Sequence, residues 1–217
     1  MENNHFQCLF ELSAESLFEL VKDTLSIENW FIREDSIANR TNAICCSERF
    51  LYLEKIAKKK KIKIDNAEIV TWLDSLTILY YVFKKMEDEY LKDSIIILQE
   101  YCIPYHNKRA DYLLVYDNKI LILEFSFNKL GYELQYESKL RQVMEYKELL
   151  SSLLPKEIDI GTYTFMVEPE EDKWRNTINL KNTDFLPNHY KIENLAQFIE
   201  KFFKKNIDQA INALKQL

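Results

Sequence analysis

Glycine is nearly missing from this chain, with two in 217 residues, and proline is sparse at four. A P-loop wraps phosphate with a glycine-rich turn, so nucleotide hydrolysis of that kind is excluded. The same scarcity leaves no flexible linker and no low-complexity segment. No window approaches the roughly 20 apolar residues that span a bilayer. The opening MENNHFQCLFELS lacks a basic start followed by an apolar stretch. The expectation is a soluble, cytoplasmic protein with no membrane partner. Cys8, Cys45, Cys46 and Cys102 include an adjacent pair but no CxxC spacing, so neither a zinc site nor a disulfide framework is indicated, and all four read as small buried apolar residues in a reducing compartment. The three histidines, His5, His106 and His189, show no ligand spacing. His106 reads as a surface loop residue. A net charge of -6 argues against indiscriminate coating of nucleic acid, while saying little about one local groove.

What is present is 47% hydrophobic residues, enough for one sizeable core, and the chain reads as a single domain over 1–217. Segments 13–25 and 47–60 each open on a serine able to cap a helix and carry apolar residues at helical spacing. The lysines of AKKKKIKI, at the end of the second, read as a solvated helix terminus rather than a phosphate contact. Asp65 and Glu68 form a capping-box pattern ahead of an apolar stripe, which predicts a long helix over 66–90. Then SIIILQEYCIPY, ADYLLVY and KILILEFSF predict three successive strands, followed by a helix over 135–153 and a fourth strand in IDIGTYTFMVEP. A helix between two neighbouring strands signals a parallel crossover, so the expected fold is α/β with a mixed central sheet flanked by helices. A helical N-terminal extension over 1–64 precedes a core over 65–168. A C-terminal helical segment over 169–217 closes it.

One hairpin carries the functional reading. With Asp117 and Asn118 as the two central turn residues, Tyr116 pairs with Lys119, and counting outward sets Asp111 across from Glu124 and Arg109 across from Ser126 on one face. Like charges directly opposed destabilise a sheet unless a cation or a proton lies between them. A hard divalent ion satisfies that need: Mg²⁺ takes one or two carboxylates, keeps several waters and draws on substrate phosphate oxygens. The plainer alternative is that the acids stand at strand ends in solvent, or that Asp111 pairs with Arg109 or Lys108.

These residues resemble the PD-(D/E)XK nucleases, the restriction-endonuclease-like superfamily, in which an Asp on one strand and Glu-x-Lys on the next bind the metal. Asp111 and Glu124 match the two acids. TWLDSLTILYYVF, QEYCIPYHNKRAD and RQVMEY look like the nuclease-like domain found ahead of some bacterial Schlafen-type helicases, and the likeness spans about 65–168. It implies Glu100 as a further acidic member, and Gln142 with Tyr146 as a Q-x-x-x-Y element meeting DNA beside the metal. Helical spacing independently puts Lys139, Gln142 and Tyr146 on one face. Where the family carries its lysine this chain reads Ser126, which brings no charge. Lys139 is the first substitute. Lys129 and Arg109 are others, Arg109 as a phosphate clamp with Lys108 beside it.

The expectation is a nuclease using Mg²⁺ or Mn²⁺ to hydrolyse phosphodiester bonds in DNA, with RNA a second candidate, serving in phage defence or mobile-element biology, alone, as a homodimer or with a partner protein of a defence system. The rival is a nuclease-derived scaffold that lost its chemistry with the lysine and binds nucleic acid or protein.

Overall fold

The computed structural model describes residues 8–26, 41–42, 44–60, 62, 64–127, 132–167 and 189–214. Its elements are β1 (Phe10–Leu12), α1 (Ala14–Ser26), α2 (Glu48–Lys59), α3 (Asn66–Lys85), α4 (Glu89–Ser94), β2 (Ile96–Cys102), β3 (Arg109–Tyr116), β4 (Lys119–Phe127), α5 (Tyr132–Leu153), β5 (Asp159–Val167) and α6 (His189–Leu214). The strands form one mixed five-stranded sheet in chain order. Its first three pairings are antiparallel, and β4 runs parallel to β5 through the α5 crossover. The chain is therefore an α/β protein with a mixed sheet packed against helices. Among the described residues no helix is long and apolar enough to cross a membrane.

Helix starts follow the capping residues. Ser13 and Ser16 cap reciprocally, each side chain accepting from the other's backbone N–H. Ser47 accepts from Phe50 N–H, and Asp65 accepts from Glu68 N–H at 2.8 Å. The helix expected over 66–90 is corrected: α3 stops at Lys85, Met86 turns extended, and Asp88 caps a separate α4 by accepting from Leu91 N–H. The break is held from far along the chain, because Oε1 of Glu200 accepts from the N–H groups of Glu87 and Asp88 at 2.6 and 2.8 Å.

Alternation along the strands sorts side chains onto two faces. One face, with Ile97, Tyr112, Leu114, Leu121, Leu123 and Phe125, packs against α1, α3 and α6. The other, with Leu98, Leu113 and Ile122, receives Tyr146 and Leu150 of α5. Fully buried leucines such as Leu114, Leu121 and Leu123 each contribute about 1.5–3 kcal/mol. α2 packs separately, through Phe50, Leu53 and Ala57, on the first half of α3.

The cysteine reading needs correction. Cys8 is buried, but Cys45 and Cys102 are half-buried and Cys46 is exposed. Ile44, at 1% exposure, is the residue of that turn that points inward, leaving its neighbours on the surface.

Candidate active site

The hairpin register stands as the turn chemistry predicts. Asp117 takes a positive φ of 52°, Tyr116 pairs with Lys119, and the ladder runs to Tyr112–Leu123. One step further, at Asp111 and Glu124, the ladder gives way to side chains. The backbone N–H of Asp111 donates to Oε1 of Glu124 at 2.8 Å, and the N–H of Phe125 donates to Oδ2 of Asp111 at 2.9 Å. Each carboxylate thus takes the other strand's amide, which satisfies backbone donors a splayed sheet would strand. Arg109 and Ser126 do not extend this ladder; Arg109 pairs with Cys102 of β2 instead.

The interruption continues onto β2. Gln99 pairs with Tyr112 and Tyr101 with Ala110, while Glu100, opposite Asp111, has φ 53° and no ladder partner. A left-handed non-glycine residue inside a strand costs on the order of 1–3 kcal/mol and persists where surroundings hold it. Three acidic residues therefore stand in a row across β2, β3 and β4. Glu100 and Glu124 are buried, at 4% and 0% exposure.

Two cations answer them. From α5, Nζ of Lys139 lies 2.9 Å from Oε2 of Glu124 and 3.8 Å from Oδ2 of Asp111. One turn along, Nε2 of Gln142 donates to Oε2 of Glu124 at 3.1 Å and to the Tyr146 hydroxyl at 2.7 Å. On the other flank the guanidinium of Arg109 binds Glu100 through Nε and Glu68 through its second nitrogen. Burial, reinforced by the Asp111 charge, pushes both Glu100 and Glu124 up to about 8. Burial pulls Lys139 down, yet the facing charges of Asp111 and Glu124 outweigh it, and the ammonium is held above its ordinary value.

Asp111, Glu124, Lys139, Gln142 and Tyr146 thus converge on one point, with Glu100 near enough to feel the charges of Asp111 and Glu124. Tyr146 is 5% exposed and braces the Gln142 amide from inside. Lys108 points elsewhere, to Glu145 of α5, and the Arg109 guanidinium is occupied by two carboxylates rather than reaching the space beside Ser126. Lys129 lies outside the described residues. Ser126 is buried. His106 is exposed on its loop, as expected. Glu68 was hidden from sequence reasoning because its spacing from Asp65 signals a capping box; the Asp65 cap forms, while the Glu68 carboxylate turns to Arg109.

The oxygen donors of Asp111 and Glu124 suit a hard divalent ion, and Oδ1 of Asp111 accepts no hydrogen bond from the described residues. Among the described residues no group of three or more His, Cys, Asp or Glu side chains is placed to cage a metal. Two carboxylates are the number that a hard ion keeping most of its waters would take from a protein. Comparison with protein-family models, curated proteins and solved structures finds no match.

Proposed function

We propose that this chain is a phosphodiesterase of restriction-endonuclease-like fold that cleaves nucleic acid, DNA first, using Mg²⁺ or Mn²⁺ held by Asp111 and Glu124. One observation carries the reading: two strands and a helix bring an Asp, a Glu and a Lys together where the sheet's own hydrogen bonding has been given up to admit them. A bound divalent ion would polarise the phosphate and supply an acidified water. Lys139 takes the part of the lysine missing at position 126, offering positive charge to a phosphoryl oxygen. Gln142, steadied by Tyr146, fixes the Oε2 edge of Glu124. Glu100 and Arg109 hold the β2 flank of Asp111.

A second reading is favoured by a specific feature. Lys139 already neutralises the facing carboxylates, and Arg109 and Lys108 are engaged by acidic side chains, an arrangement also suited to a scaffold without chemistry. Purified protein incubated with plasmid, linear DNA, single strands and RNA, in Mg²⁺, Mn²⁺ or EDTA, separates the two. Metal-dependent cleavage abolished in Asp111→Asn and Glu124→Gln supports the enzyme. No cleavage, with nucleic-acid binding indifferent to both substitutions, supports the scaffold.

A further inference from the structure

The turn before α2 sets two thiols side by side, Cys45 half-buried and Cys46 exposed. Sγ of Cys45 lies 3.9 Å from Sγ of Cys46 and 3.6 Å from the carbonyl of Asn42. The backbone around them is fixed on both sides. Cys45 N–H donates to Thr41 O and Ser47 N–H to Ile44 O, both at 2.8 Å, Ile44 is buried, and Ser47 caps α2. A tetrahedral ion with metal–sulfur bonds near 2.3 Å holds two sulfurs about 3.8 Å apart. The pair already stands close to that separation.

We propose that Cys45 and Cys46 form a bidentate thiolate site for a soft, thiophilic divalent cation. Chelation rather than a disulfide follows from the covalent geometry. Neighbouring Cα atoms are about 3.8 Å apart across a trans peptide, below the roughly 4.4 Å that an unstrained disulfide requires. Chelation needs no such stretch. Thiolate sulfur selects soft ions over Mg²⁺, so this site and the carboxylate pair sort metals between them. The hydrogen bond with Cys46 and burial raise the Cys45 thiol above its ordinary value, so the ion must displace its proton. On binding, two S–H bonds break, two S–metal bonds form, two protons leave to solvent, and no oxidation state changes.

The test uses the full chain, reduced with a phosphine, and Cd²⁺ alone as the probe. Calorimetry, ultraviolet thiolate-to-metal charge-transfer absorption and proton release in weak buffer are read together. The expected result is one Cd²⁺ per chain with about two protons released. Tethering the second thiol strengthens binding by about 10²- to 10⁴-fold, so Cys45→Ser and Cys46→Ser should each lose that factor while Cys102→Ser and Asp111→Asn bind as the parent does. Cys46 is exposed, so Cys46→Ser is decisive on its own should Cys45→Ser disturb the fold. Parent-like Cd²⁺ affinity in Cys46→Ser, or loss of binding in Cys102→Ser, overturns the proposal.

Discussion

Replacing Glu124 by Gln should invert in its effect on stability between pH 5 and pH 8. Burial and the Asp111 charge raise the Glu124 carboxyl from 4.5 to about 8 on folding. A group raised in the folded state stabilises fully below its unfolded value, and that stability is lost as pH climbs through the folded value. The window therefore runs from about 4.5 to about 8. One proton corresponds to about 1.4 kcal/mol per pH unit, so the parent should lose up to roughly 3–4 kcal/mol from this residue between pH 5 and 8. The variant cannot titrate there. It carries a fixed penalty instead, because an amide NH₂ at the Oε2 position would face the donors Lys139 Nζ and Gln142 Nε2, at about 1–3 kcal/mol for the mismatch. Glu124→Gln should thus be the less stable protein at pH 5 and at least match the parent at pH 8. Glu100, also raised to about 8, leaves the variant a residual slope. Urea unfolding at half-unit pH steps, after a two-state check with two probes, reads the difference curve. A parent-minus-variant difference that stays constant within about 0.5 kcal/mol over that range refutes the coupling of burial to protonation argued from this geometry.

Three further outcomes are expected. In Gly161→Ala the new Cβ would stand 2.6 Å from Cε2 of Phe202, whose ring is packed on Phe198 and Phe203; the cost should be about 1–3 kcal/mol in urea unfolding, and Phe202→Leu in the same chain should recover part of it. Asp65→Ala should lose about 1 kcal/mol with the α3 cap, whereas Glu68→Ala and Glu100→Gln should be non-additive with each other, since both partners hang on Arg109. Lys139→Met should reduce any metal-dependent cleavage at least 100-fold, and adding Ser126→Lys, on the same strand face as Glu124, should restore part of it; a double variant as inert as Lys139→Met would mean the ammonium has no catalytic part.

The hairpin was legible because a two-residue turn and strict alternation fix register together, and Asp117 supplies the positive φ the turn requires. Three things were not legible, each for a long-range reason. The end of α3 depends on a carboxylate at position 200, so local periodicity runs straight through it. β1 is three residues long and exists by pairing with Ile97–Gln99, which no local pattern reveals. Lys119, a charged residue beside the turn, is 2% exposed with its ammonium on the carbonyls of Phe202 and Phe203 in α6, a partnership that no local pattern announces. At the site, the opposition of Asp111 and Glu124 and the shared face of Lys139, Gln142 and Tyr146 followed from spacing, while the choice of these residues as a site came from the family resemblance. That the acids would replace the ladder, and that Glu68 would join Arg109, depended on strands splaying at one level.

The carboxylate pair raises a question of charge order rather than of charge presence. Two opposed acids on neighbouring strands need a cation, and the fold supplies its own: Lys139 lies against Glu124, and the Glu100 flank is held by Arg109. Under the proposed function, Lys139 stands 2.9 Å from Oε2 of Glu124, one of the donors a divalent ion between Asp111 and Glu124 would use, and two cations on one carboxylate edge would repel. The lysine has the means to yield, since it is an unbranched stem on a helix with about a quarter of its side chain exposed. Under the proposed function, an ammonium displaced from Glu124 but still tethered beside it would be turned toward the substrate phosphate, coupling metal entry to the presentation of positive charge. A lysine at position 126 would sit on the strand itself and could not swing aside in this way, so on the same reading the helix position of Lys139 carries a consequence of its own.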